Sequence, residues 1–205
     1  YISIRHGGAL IGEGNEINGL TLGGVGSETI IDNIEVVANV DDGIEFFGGT
    51  VNASNLLVWA QGDDGLDIDQ GYSGTINNAI VVLGSNSDHA FEIDGPEGTA
   101  TGSFTLKNAT IIGNSITENG EYADYRSGAM GTTENIYAYG FKDSSDIELD
   151  NESFAQYRNS QVRHLYYPYH QIGSSSSPDR LLLSDQPTCR LNGRRWMTAY
   201  FSDSL

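Results

Sequence analysis

Cys189 is the only cysteine in the chain, so no intrachain disulfide framework can form and no CxxC metal site can be drawn. Positive charge is scarce too: 10 Lys and Arg stand against 28 Asp and Glu, for a formal charge of -18. That balance repels phosphate backbones and anionic membranes, so nucleic acid is not expected as a partner. No apolar run approaches the roughly 18 residues of a membrane span, and membrane insertion is not expected either. Tyr1 is not followed by a charged and apolar leader, which reads as the interior of a longer product or a processed start. A GxSxG elbow, an HExxH helix and a phosphate loop are all missing. Gly23-Gly24-Val25-Gly26 lacks the helix that a dinucleotide site needs after it.

What is present is a repeat. An asparagine precedes an apolar strand at Asn18, Asn33, Asn55, Asn78, Asn108 and Asn135, at intervals of 15, 22, 23, 30 and 27 residues. A lone Asn would only mark a turn. Six in succession predict a stacked ladder in which each side-chain amide donates to the next and satisfies buried polar groups.

A second family of strands aligns without gaps: Asp42-Gly43-Ile44-Glu45-Phe46-Phe47, Asp64-Gly65-Leu66-Asp67-Ile68-Asp69, His89-Ala90-Phe91-Glu92-Ile93-Asp94 and Ser145-Asp146-Ile147-Glu148-Leu149-Asp150. Apolar and polar residues alternate in each, so Ile44, Leu66, Phe91, Ile147, Phe46, Ile68, Ile93 and Leu149 should face inward. Helix-forming stretches are essentially missing. Short strands, glycine corners and a period of about 22 residues predict an all-β fold, a right-handed parallel β-helix or solenoid with one coil per period. The dense leucine signature of leucine-rich repeats is absent, and so are the hairpin signals of a β-sandwich.

The outward positions of these strands are Glu45, Asp67, Glu92 and Glu148, then Phe47, Asp69, Asp94 and Asp150. Coils stack about 4.8 Å apart, so the carboxylates should form a column. At about 5 Å and an effective dielectric near 20, each like-charged pair repels by roughly 3 kcal/mol. Such a column either raises its pKa values or takes up a cation. An all-oxygen set with loose geometry suits Ca2+ better than magnesium. Asp42, Glu45, Asp64, Asp67, Asp69, Glu92 and Asp94 are the candidate ligands, helped by the recurrence of Asp-Asp-Gly at 41–43 and 63–65. The competing reading is an acidic face that only keeps a sticky solenoid soluble.

His89 takes the slot of Asp42 and Asp64 among acidic neighbours, where its pKa should rise and a general acid or base role becomes available. Arg126 could reach the same face, since calcium beside an arginine base is the arrangement of β-helical polysaccharide lyases. Both are candidate catalytic residues. Arg126 could instead simply pair with Asp124 or Glu121, and His89 could be an inert surface residue. His6 reads as structural. Trp59, Tyr72, Tyr122, Tyr125, Tyr137 and Tyr139 could stack on sugars, although most aromatics in such a fold pack inside it.

Tyr1 through Gly8, Asn15 through Leu22, and Asp41-Asp42-Gly43-Ile44-Glu45-Phe46-Phe47-Gly48-Gly49-Thr50 resemble the β-helical segments of secreted or lipid-anchored bacterial surface proteins. The resemblance spans about residues 1–150 and implies an extracellular or cell-surface β-helix without an established activity. Likeness to pectate-lyase-like enzymes is one of architecture and acidic ladder. The expected function is a calcium-dependent hydrolase or lyase acting on an acidic glycan or a small ester or lactone. A non-catalytic adhesion module stiffened by calcium is the competing class. Open solenoid ends make a homodimer plausible.

Residues 1–155 hold 25 of the acidic residues and 24 of the glycines, whereas 156–205 hold 3 and 2. The helix domain is therefore placed at 1–155. Residues 156–205 read as an irregular tail or cap, and the abrupt change also fits a non-native tag or out-of-frame read.

Overall fold

A computed structural model describes residues 1–9, 11, 12, 17–116, 120–142 and 144–158, with three two-residue strands beyond them. Strands β1 (Ile2–Arg5), β3 (Ile30–Val37), β5 (Asn52–Trp59), β7 (Thr75–Val82), β9 (Phe104–Ile112) and β11 (Gly131–Tyr139) pair in that order into one parallel sheet. A second parallel sheet runs through β2 (Leu20–Thr21), β4 (Ile44–Phe47), β6 (Leu66–Asp69), β8 (His89–Asp94), β10 (Glu121–Arg126) and β12 (Ile147–Leu149). At its edge β14 (Thr188–Cys189) pairs antiparallel with β12, while β13 (Tyr166–Tyr167) pairs with β15 (Met197–Thr198). Successive strands alternate between the two large sheets and pair with the next but one. This is the parallel β-helix that the repeat predicts.

The core lies between the sheets. Ile44, Leu66 and Phe91 stack in register, as do Phe46, Ile68 and Ile93, and all six are buried. Glycine at the Asp-Asp-Gly corners is required by close approach, because a Cβ on Gly43 would meet Val58 Cγ1 at 2.3 Å and Gly65 O at 2.6 Å. One coil is absent from the four-strand alignment. Strand β10 lies between β8 and β12, pairing Ala123 with Phe91 and with Ile147. Its inward residues are Ala123 and Tyr125, and it follows β8 by 32 residues (Phe91 to Ala123) instead of about 22, so the period does not announce it.

The asparagines stack, but not as a buried ladder. Asn33, Asn55, Asn78, Asn108 and Asn135 lie one above another inside β3, β5, β7, β9 and β11, with φ between 54 and 61. A left-handed residue bends the strand and shifts its alternation. Ala53 and Leu56 both point inward, with Ser54 and Asn55 both outside. Asn is chosen because it tolerates this conformation better than other non-glycine residues. Its amide chain runs along the outer surface: Asn78 Nδ2 donates to Asn55 Oδ1 (2.5 Å), Asn135 to Asn108 (2.6 Å) and Asn55 to Asp32 Oδ1 (2.7 Å). Asn18 belongs elsewhere, ahead of β2, which explains the odd interval of 15. Asn78→Gly should cost only about 1 kcal/mol, the lost hydrogen bond alone, since glycine accepts positive φ. Asn78→Val should cost about 2–3 kcal/mol from left-handed strain and a lost hydrogen bond. Urea melts of the two variants check the order, and equal losses would discount the backbone argument.

A short helix, α1 (Asn151–Arg158), is the one helix among the described residues of an otherwise all-β chain, and it crosses the expected boundary at 155. Asp150 is its N-cap: Oδ1 accepts from Ser153 N (2.7 Å) and Oδ2 from Ser127 N (2.7 Å). Backbone bonds outweigh burial and hold its carboxyl below the usual range. Most of 156–205 lies outside the described residues. Tyr72 and Tyr125 are core residues, and Tyr122 stacks on Phe141 with centroids 4.1 Å apart. Trp59 and Tyr139 stay about half exposed. His6 sits at a left-handed corner (φ 54), its N–H donating to Val37 O.

Candidate metal centre

Strands β4, β6, β8, β10 and β12 present their outward side chains as two columns. The first contains Glu45, Asp67, Glu92, Asp124 and Glu148. The second contains Phe47, Asp69, Asp94, Arg126 and Asp150, Arg126 being placed directly beside Asp94. At the corner before these strands Asp42, Asp64, His89 and Glu121 follow one another. Here each acid accepts from the backbone of the next coil: Asp64 N donates to Asp42 Oδ1 (3.1 Å) and His89 N to Asp64 Oδ1 (2.7 Å). Asp124 and Glu121 escape a sequence reading that skips β10, although the alternation of Glu121-Tyr122-Ala123-Asp124-Tyr125-Arg126 carries the signal.

The seven acids read as ligands do not gather at one point. Carboxylate oxygens of Asp67, Glu92 and Asp94 lie within 4.8 Å of one another, and Asp64, His89 and Glu92 make a second group sharing Glu92. Asp42 joins a separate corner cluster with Asp41 and Asp63. Glu45 accepts from Asn18 Nδ2 (2.8 Å), and Asp69 accepts from Gln70 N (2.5 Å). Neither belongs to a cluster of three among the described residues.

Asp67 is the group that most needs a partner. It is only 8% exposed, and its Oδ1 has no hydrogen-bond donor. Burial, then the charges of Asp42 and Glu45, push its carboxyl up to about 9. Burial and Asp64 push Asp42 up to about 8. Burial and the neighbouring acids also raise Glu92, Asp69, Asp124 and Glu148. A buried carboxylate with one oxygen lacking a donor, in a group with two further carboxylates, fits a hard cation bound through oxygen.

The family model for a pectate-lyase like beta helix domain matches residues 1–183. The chain belongs to this family. Searches of curated proteins and of solved structures returned no match. Membership points to a polysaccharide-acting enzyme or a related module. No helix among the described residues is long and apolar enough to cross a membrane.

Among the described residues, His89 and Arg126 lie within the ladder of this pectate-lyase-like β-helix and both are engaged, while Lys142 Nζ reaches Glu121 Oε1 at its corner (3.3 Å). His89 Nδ1 lies 2.9 Å from Asp64 Oδ1 and 3.9 Å from Asp88 Oδ2. Burial opposes its charge, but the hydrogen bond and charge of Asp64 prevail and push the imidazole up to about 9. The same pair draws Asp64 below the usual range despite its burial. His89 is therefore protonated at neutral pH and can donate a proton but not accept one. Arg126 pairs with neither Asp124 nor Glu121 through its side chain: Nε donates to Asp94 Oδ2 (2.6 Å) and a terminal nitrogen to Glu92 Oε1. These bonds raise its pKa against the opposing effect of burial and favour the charged guanidinium.

Proposed function

We propose that the ladder face binds calcium through Asp67, Glu92 and Asp94, and that the chain acts there on an acidic polysaccharide. The observation that carries the reading is a buried Asp67 carboxylate that has one oxygen without a donor and lies within 4.8 Å of the carboxylates of Glu92 and Asp94. Bound calcium would polarise a substrate carboxylate or carbonyl. His89 is the proton donor of the site, oriented by Asp64. Arg126, whose side chain is 44% exposed, would meet the substrate carboxylate. The outward columns form an extended face, which suits a glycan chain better than a small ester or lactone. Calcium is abundant outside cells, in keeping with an extracellular or cell-surface location.

A second reading is favoured by the engagement of both cations. With His89 and Arg126 neutralising their own neighbours, the chain would be a non-catalytic module stiffened by calcium, working in adhesion or as a homodimer. Melting with calcium and with chelator, together with turnover assays on polyuronates and sulfated glycans, separates the readings. The enzyme reading requires a calcium-dependent rise in unsaturated or reducing ends that His89→Gln abolishes while calcium still raises the melting temperature. Calcium-dependent melting without turnover leaves the module. A melting temperature indifferent to calcium removes both.

A further inference from the structure

We infer that Arg126 is a resident counter-cation of the ladder that calcium must displace, so that metal binding and release of the arginine are one exchange. The inference rests on the calcium reading above. Two of the three converging carboxylates, Glu92 and Asp94, are the residues that receive the guanidinium. The third, Asp67, receives no bond from it and keeps its donorless oxygen. A divalent cation coordinated by all three would have to share Glu92 and Asp94 with a guanidinium of the same sign held against them, so the two positive groups repel each other and compete for the same two carboxylates.

The pairing is built into the fold. Arg126 lies opposite Asp94 in the register of β8 and β10, one strand step from Glu92 opposite Asp124. In the columns facing Asp67, Glu92 and Asp94, Arg126 is the only Lys or Arg among the described residues. It stands where a metal's charge would otherwise be required. Its side chain is about half exposed, so it can swing to solvent without disturbing the core. Exchange has two consequences. The arginine lowers calcium affinity, because the metal competes with a tethered cation. It also becomes available to an acidic substrate only after the metal has bound, which orders the assembly of the site.

Calorimetric calcium titration of the wild-type chain, Arg126→Gln and Arg5→Gln tests the exchange. Arg5 pairs with Glu35 on the other sheet and controls for net charge alone. Arg126→Gln should bind calcium about tenfold tighter or better, and Arg5→Gln should stay within about twofold of wild type. Equal affinity in wild type and Arg126→Gln overturns the exchange while leaving the calcium site standing, and so does an equal gain in Arg5→Gln. No binding by any of the three overturns the calcium reading itself. A readout on the unmutated chain guards against misfolding of the variant. The Arg126 Nε–H resonance, assigned by its loss in Arg126→Lys, should be protected from exchange in chelator and lose that protection on calcium addition. Protection that persists at saturating calcium overturns the inference.

Discussion

Asp67→Asn is expected to raise the melting temperature of the calcium-free protein at pH 8 and to abolish its response to calcium. The side chain is buried, and its carboxyl is pushed up to about 9 by burial and by surrounding acids. An unfolded chain leaves the same carboxylate in water near its usual pKa, so folding at pH 8 has to neutralise or confine a charge. Asparagine keeps the shape and removes that cost, and its NH2 can donate to neighbouring carboxylates. At about 1.4 kcal/mol for each pH unit over which the folded chain keeps a proton that the unfolded chain has released, the cost at pH 8 is at most on the order of 5 kcal/mol, and a gain of about 2–4 kcal/mol is expected. For a domain of this size that is a rise of roughly 5–12 °C. The advantage should shrink toward pH 4, where the unfolded Asp67 takes up its proton as well. A variant that melts lower than wild type in chelator at pH 8 would mean that the buried oxygen already has a stabilising partner. A variant that keeps its calcium shift would move the metal away from Asp67.

The fold was legible because a stacked solenoid repeats its constraints. Alternation in 44–47, 66–69 and 91–94 told inside from outside, and the shared frame set Glu45, Asp67 and Glu92 in one column. The asparagine spacing was equally visible, but its cause was not. A left-handed φ leaves no trace in hydrophobic pattern, and the same periodicity serves a buried ladder or an external bend. The cations His89 and Arg126 were visible, but the partners of Arg126 were hidden for another reason. Arg126 reaches Glu92 and Asp94 only through β10, whose Ala123 and Tyr125 do not resemble the aliphatic pairs of the other coils and whose position follows a long insertion. The distance from carboxylate column to neutralised cluster is one coil's alignment. Asp150 shows the same limit, since an outward acid of a strand and the N-cap of a following helix look alike until the helix is seen.

In chelator the protein should be most stable near pH 5 and should lose stability steadily toward pH 9. His89, raised from 6.5 to about 9, contributes fully below pH 6.5, and its contribution disappears as pH rises through 9. Asp42 and Asp67 act in the same direction, because the folded chain holds protons, up to about pH 8 and 9, that the unfolded chain has released above pH 4. Each extra proton held by the native state makes stability fall by about 1.4 kcal/mol per pH unit. Asp64 and Asp150 are depressed, so their contribution is present above about pH 4 and lost on further acidification. The optimum therefore lies between the two sets. The charges facing His89 are Asp64 from β6's corner, its neighbour Asp88, Glu92 on its own strand, and Glu121 and Asp124 on β10. His89→Gln should remove the part of the decline between pH 6.5 and 9. At pH 7 it should also cost about 3–5 kcal/mol, the price of a buried Asp64 left without its cation. Saturating calcium should flatten the wild-type profile, because carboxylates coordinated to a metal are ionised and no longer hold the protons that set the slope. Melting temperatures in chelator that stay level from pH 5 to pH 9 would contradict the shared origin of these shifts in buried, crowded carboxylates.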